Sequence, residues 1–120
     1  MTKYTGKYDL EGRTARFGEN LIVFCKKLVQ NTITKPIINQ LIRSGTSVGA
    51  NYMEANGASS KRDFRNKIYI CKKEIQECKH WLRMIVTALP DKKEEAKLLF
   101  NEAQELTLIF QKITSTLNKK

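Results

Sequence analysis

Residues 64–89 read FRNKIYICKKEIQECKHWLRMIVTAL, and their spacing decides the fold. Phe64, Ile68, Cys71, Ile75, Cys78, Leu82, Ile85 and Leu89 follow one another at steps that alternate between 4 and 3 throughout. A strand would alternate every second residue, whereas this repeat keeps one seam on one face of a helix. A sustained period of about 3.5 residues stays in contact with its neighbours through left-handed supercoiling, so the stretch predicts a long helix in a bundle.

The same reading extends in both directions. Upstream, Ser60-Lys-Arg-Asp63 supplies a capping serine with an acid three positions on, and Gly57 closes the preceding helix. That helix opens near Pro36, which is tolerated in a first turn, and carries Ile38, Leu41, Gly45, Val48, Tyr52 and Ala55 on its inner line. Before it, Leu10, Thr14, Phe17, Leu21, Phe24 and Leu28 form a stripe with a single polar member. Downstream, Pro90 stops the long helix and Asp91-Lys-Lys-Glu94 caps a fourth, in which Ala96, Leu99, Ala103, Leu106, Phe110, Ile113 and Leu117 step by 3 and 4. The expected helices run over about residues 10–30, 36–57, 61–89 and 92–117, with Asn118-Lys-Lys fraying at the end. Three short connections make each neighbour antiparallel, which predicts an all-α, antiparallel up-down-up-down four-helix bundle occupying residues 1–120 as one domain.

Composition agrees with that class. At 120 residues the chain suffices for one packed core, and 41% hydrophobic residues with two prolines and six glycines argue against disorder and against a many-turned β fold. No apolar run approaches the ~18 residues of a membrane span, and the start lacks the apolar core of a secretory signal, so a cytoplasmic protein is expected. Cys25, Cys71 and Cys78 form no Cys-x-x-Cys pair and leave an odd thiol under any pairing, which predicts reduced core thiols. The net charge of +10, from 22 Lys and Arg against 12 Asp and Glu, attracts polyanions: RNA, DNA or an acidic protein.

Two helices carry more than one stripe. On the third, Lys67, Ile70, Glu74, Glu77, Trp81, Met84 and Ala88 make a second line in which apolar residues bracket two carboxylates around the only tryptophan. On the second, Ser44, Ser47, Asn51 and Glu54 fall at steps of 3, 4 and 3. Gly45 and Gly49 lie in the same segment, each costing roughly 1 kcal/mol against alanine, and predict close approach of another backbone. Helices with two working faces point to self-assembly, with Arg43, Ser44, Ser47, Asn51, Glu54, Glu74, Glu77 and Trp81 as the assembly residues.

The segment Ile42-Arg-Ser-Gly-Thr-Ser-Val-Gly-Ala-Asn-Tyr52 with Glu54-Ala55, followed by Asp63-Phe64, Lys73-Glu74, Glu77 and Trp81-Leu82, resembles the four-helix-bundle family of 23S ribosomal RNA intervening-sequence proteins. The resemblance covers nearly the whole chain and implies a ring-shaped homopentamer, with genes often lying in insertions within bacterial large-subunit ribosomal RNA. A distant branch resembles the accessory protein of diversity-generating retroelements, a basic pentamer that works with a reverse transcriptase. The resemblance brings no family-wide enzymatic activity. His80 departs from the tyrosine expected before the Trp-Leu pair.

Chemical motifs are sparse. Glu77-Cys-Lys-His80 has the Glu-x-x-His spacing of di-iron bundles, but one histidine in the chain cannot complete such a site, so no metal and no cofactor is expected. Gly45-Thr-Ser-Val-Gly49 spells Gly-x-Ser-x-Gly with Asp63 and His80 following, yet Ser47 sits mid-helix, without the strained strand-to-helix turn that exposes a nucleophile. The same segment lacks the lysine of a phosphate-binding loop. The carboxylates Glu54, Glu74 and Glu77 are expected to pair with Arg43 and to hydrogen-bond Ser47 or Asn51, within or between subunits.

The cations are better organised. Arg62, Arg65, Tyr69, Lys72, Gln76, Lys79 and Arg83 form a line along the third helix with five cations and no acid. Such a line can follow a phosphate backbone, with Tyr69 available to stack on an unpaired base, although a solvated helix face has the same pattern. The sequence therefore predicts a non-enzymatic, homo-oligomeric nucleic-acid-associated protein that binds RNA or a ribonucleoprotein through Arg62, Arg65, Tyr69, Lys72, Lys79 and Arg83. The competing expectation is a protein-protein adaptor or accessory subunit, for example beside a reverse transcriptase.

Overall fold

The computed structural model describes residues 9–119. It contains α1 (Leu10–Lys26), α2 (Thr34–Asn56), α3 (Lys61–Ala88) and α4 (Lys93–Leu117), with a single 3-10 turn at Pro90–Lys92 between the last two. The molecule is a rod about 47 Å long, a length set by the 28 residues of α3 at about 1.5 Å each.

The predicted stripes are the core. Leu10, Phe17, Leu21, Phe24 and Leu28 are buried, as are Ile38, Leu41, Val48 and Ala55, with Tyr52 packed against them half-buried. Ile68, Cys71, Ile75, Cys78, Leu82 and Ile85 fill the centre, and Phe64 and Leu89 lie at its ends. Thr14, the polar member of the α1 stripe, is buried and satisfied by donating its hydroxyl to the Leu10 carbonyl at 2.7 Å. All three cysteines are free and buried. Desolvation raises the Cys25 thiol to about 11 and those of Cys71 and Cys78 to about 12.

Contacts at every seam join early residues of one helix to late residues of its neighbour, so adjacent helices run in opposite directions. Glu11 meets Asn56 and Gly18 meets Thr46 between α1 and α2. Arg43 meets Glu74 and Glu54 meets Lys67 between α2 and α3. Tyr69 meets Asn118 and Lys79 meets Gln104 between α3 and α4. Arg13 meets Glu105 and Lys27 meets Glu95 between α1 and α4. The α2–α3 seam is the most extensive of the four, and the α1–α4 seam the least.

The expected glycine approach lies between α1 and α2. A methyl group on Gly49 would stand 3.4 Å from the Thr14 backbone, and one on Gly18 would stand 3.6 Å from Thr46 Cα. At Gly45 the space is taken instead by Leu21, whose Cδ1 lies 2.7 Å from where that methyl would be. At Gly18 and Gly49 a methyl would be in ordinary van der Waals contact, so the tight position is Gly45, where the Leu21 side chain would have to shift.

Two helix ends differ from the expectation. α1 stops at Lys26 and α2 starts at Thr34, because Asn31 and Thr34 build a local cap. Asn31 Oδ1 accepts from the amides of Ile33 and Thr34, both at 2.9 Å, and Thr34 donates its hydroxyl to the Val29 carbonyl at 2.6 Å. These side-chain bonds compete with continuation of α1. Asp91 does not cap α4, since it lies inside the 3-10 turn and the helix begins at Lys93 without a side-chain cap. The expected cap of α3 is present: Ser60 Oγ accepts from the Asp63 amide at 3.0 Å.

Candidate nucleic-acid interface

Two groups of side chains flank the outer half of α3. The first closes the α2–α3 seam. Arg43 donates through Nη1 to both oxygens of Glu74, at 3.2 and 3.3 Å, through Nη2 to Glu77 Oε2, and through Nε to Gln40 at 3.1 Å. The indole N–H of Trp81 donates to the same Glu77 oxygen at 3.1 Å. These donors, Trp81 before Arg43, hold the Glu77 carboxyl below its ordinary range, and Glu77 in turn raises the Arg43 guanidinium. Arg43, Glu74, Glu77 and Trp81 thus meet within one subunit.

The other residues of the α2 polar line are placed differently. Ser44 is fully buried, beside Cys78, and donates to the Leu41 carbonyl at 3.3 Å. Ser47 and Asn51 bond to their own helix, at the carbonyls of Arg43 and Ser47 respectively. Glu54 pairs with Lys67 at 2.8 Å rather than with Arg43. His80 stands edge-on to Trp81 with ring centroids 4.8 Å apart, and among the described residues no three His, Cys, Asp or Glu side chains converge.

The second group is the cation line along the α3–α4 side. Arg62 and Arg83 are exposed, and Arg65, Lys72 and Lys79 are half-buried. Lys72 Nζ lies 5.8 Å from the Tyr69 ring centroid, and the Tyr69 hydroxyl accepts from Asn118 at 2.7 Å. Lys79 donates to Gln104 at 2.7 Å and lies 5.9 Å from the Phe100 ring centroid. Among the described residues none of the five cations enters an ion pair, although Arg13, Lys27, Arg43, Lys67 and Lys92 all do. No carboxylate among the described residues lies within ion-pair distance of these five, which makes the line an anion-attracting edge.

Sequence reasoning passed over the α4 residues beside this line. Lys93, Lys97 and Phe100 fall at steps of 4 and 3, the rule that found the α3 line, and they border α3 across a groove of about 430 Å³. It also missed the α1–α4 bridge, in which Arg13 donates to both oxygens of Glu102, at 2.6 and 2.9 Å, and to Glu105 at 2.6 Å. Those carboxylates raise the Arg13 guanidinium. Grooves of about 650 and 240 Å³ flank that bridge. The larger is mainly apolar, with Leu108, Ile109 and Ile113 in its wall, and it belongs to a different seam from the cations.

Comparison with known proteins places this geometry. No functionally curated protein matches the chain. A crystal structure of a protein of unknown function from the S23 ribosomal protein family of Bacteroides thetaiotaomicron VPI-5482 superposes with a TM-score of 0.80 at 30% identity, covering 88% of this chain and 97% of that one. The model of the 23S rRNA-intervening sequence protein family matches residues 13–112, which span all four helices, and the chain belongs to that family.

Proposed function

We propose that this chain is a non-catalytic, nucleic-acid-associated protein of the cytoplasm that binds RNA or a ribonucleoprotein through the outward cations of α3. The observation that carries the reading is the unpaired line of Arg62, Arg65, Lys72, Lys79 and Arg83 beside Tyr69, in a molecule whose other seams match cations to carboxylates. Self-association into the pentameric ring implied by the family resemblance would repeat the line, so that several weak contacts on one strand gain avidity.

Titration of a labelled structured RNA at several salt concentrations tests this, with wild type against a variant in which Arg62, Arg65, Lys72 and Lys79 are alanine. Wild-type affinity should fall steeply with salt, and each lost phosphate contact should lower the log-log slope by about 0.7 on single strands or 0.9 on duplex DNA. Equal, salt-insensitive curves would defeat the reading. Native mass measurement of the free protein reads the assembly independently.

An adaptor or accessory role, for example beside a reverse transcriptase, is the second reading. It is favoured by Leu98 and Leu108 on α4, which are 73% and 59% exposed. Binding of a purified acidic protein that survives nuclease treatment would support it over the first.

A further inference from the structure

The groove between α3 and α4 combines an apolar floor, a cationic rim and an aromatic wall. Its floor is apolar, formed by Leu82, Val86 and Ala96. Its rim carries Arg83, Lys93 and Lys97, with no acidic residue among those lining it, and among the described residues none of the three cations is in an ion pair. Phe100, 39% exposed, stands in its wall. At about 430 Å³ the groove lies within the range, roughly 300–1,000 Å³, of small-molecule sites.

We propose that this groove holds one unpaired nucleotide of a single-stranded RNA, its base stacked on Phe100 and its flanking phosphates on Arg83, Lys93 and Lys97. The inference rests on the nucleic-acid reading above and extends it from an electrostatic line to a defined subsite. Arg83 belongs to both, so a strand that follows the cations of α3 arrives at the groove. The ligand is single-stranded because a base needs a free face to stack on an aromatic ring, and duplex pairing withholds it. The charges select a polyanion over an apolar peptide. Thr87 also lines the groove; its hydroxyl donates to the Arg83 carbonyl at 3.1 Å, which leaves its lone pairs free to accept from a ribose 2′-hydroxyl.

The test is fluorescence anisotropy with a short, unstructured, uridine-rich RNA strand at several salt concentrations, with circular dichroism melting to verify each variant's fold. Phe100→Ala and Phe100→Leu should weaken binding about tenfold at every salt, leaving the slope unchanged, because stacking is not an ionic contact. Phe100→Trp should bind at least as tightly as wild type. The double variant Lys93→Ala, Lys97→Ala should instead lower the slope by about 1.4, twice the single-strand increment. Duplex RNA should bind Phe100→Leu and wild type equally. A deoxyuridine strand should bind wild type more weakly, and Thr87→Val should remove that difference.

Salt-sensitive wild-type binding that Phe100→Ala and Phe100→Leu leave intact overturns the subsite while sparing the broader reading. No salt-sensitive binding to any strand overturns both. Equal affinity for uridine and deoxyuridine strands overturns the assignment to RNA.

Discussion

The α2–α3 and α1–α4 seams are each closed by an arginine shared between two glutamates, and they differ in what would be left if the arginine were removed. Arg43 spans Glu74, whose side chain is 12% exposed, and Glu77 at 33%. Arg13 spans Glu102 at 32% and Glu105 at 66%. Arg13 is itself the more buried of the two guanidiniums, so a ledger of buried arginine would rank its bridge higher. The physics ranks them the other way. A carboxylate that can rehydrate loses little when its partner leaves, whereas one shut in a seam keeps its desolvation penalty.

The largest effect should therefore come from Arg43→Ala, which strands Glu74: about 2 kcal/mol of lost stability in urea unfolding, below the 3–5 of a fully buried pair because water reaches Arg43. A cost under about 0.5 kcal/mol would dissolve the distinction between the seams. Arg13→Ala should cost about 1 kcal/mol, since Glu102 and Glu105 regain water. If it proved the costlier change, burial of the cation would be the better guide.

The smallest effect is a matter of pH. Glu77 is held below its ordinary value in the folded state, first by Trp81 and then by Arg43. Its contribution is complete above the unfolded value of about 4.3 and is lost as pH falls through the lower folded value. Trp81→Phe keeps the ring and removes the N–H, so the decline in stability between about pH 5 and pH 3 should become shallower. Circular dichroism of urea unfolding across that window reads it; an unchanged slope would mean that the indole contact does not govern Glu77.

How much of this was visible in the chain follows from the range of each interaction. The stripes of α1 and α3 could be read because helical spacing is a property of one segment, and every member named for α1 is buried. The group Arg43, Glu74, Glu77 and Trp81 could be anticipated as a set, since each residue sits at helical spacing within its own motif. Their closure within one subunit could not, because spacing along a helix is silent about which copy supplies the partner. The Arg13 bridge joins residues separated by 89 and 92 positions, and no local pattern marks Arg13 apart from any other arginine. Phe100 was passed over for a related reason: what surrounds it, Arg83 across the groove and Lys79 at 5.9 Å from its ring centroid, lies on the neighbouring helix. The end of α1 was missed because Asn31 and Thr34 trade bonds across a turn that apolar periodicity does not describe.

Gly18 and Gly49 present bare backbone to Thr46 and Thr14, at a seam more extensive than the one α1 makes with α4 on its other side. The bundle is thus held unequally around its cross-section, and its lightly packed flank lies between α1 and α4. The open flank is where arginine and glutamate must reach across and where leucines stand in water.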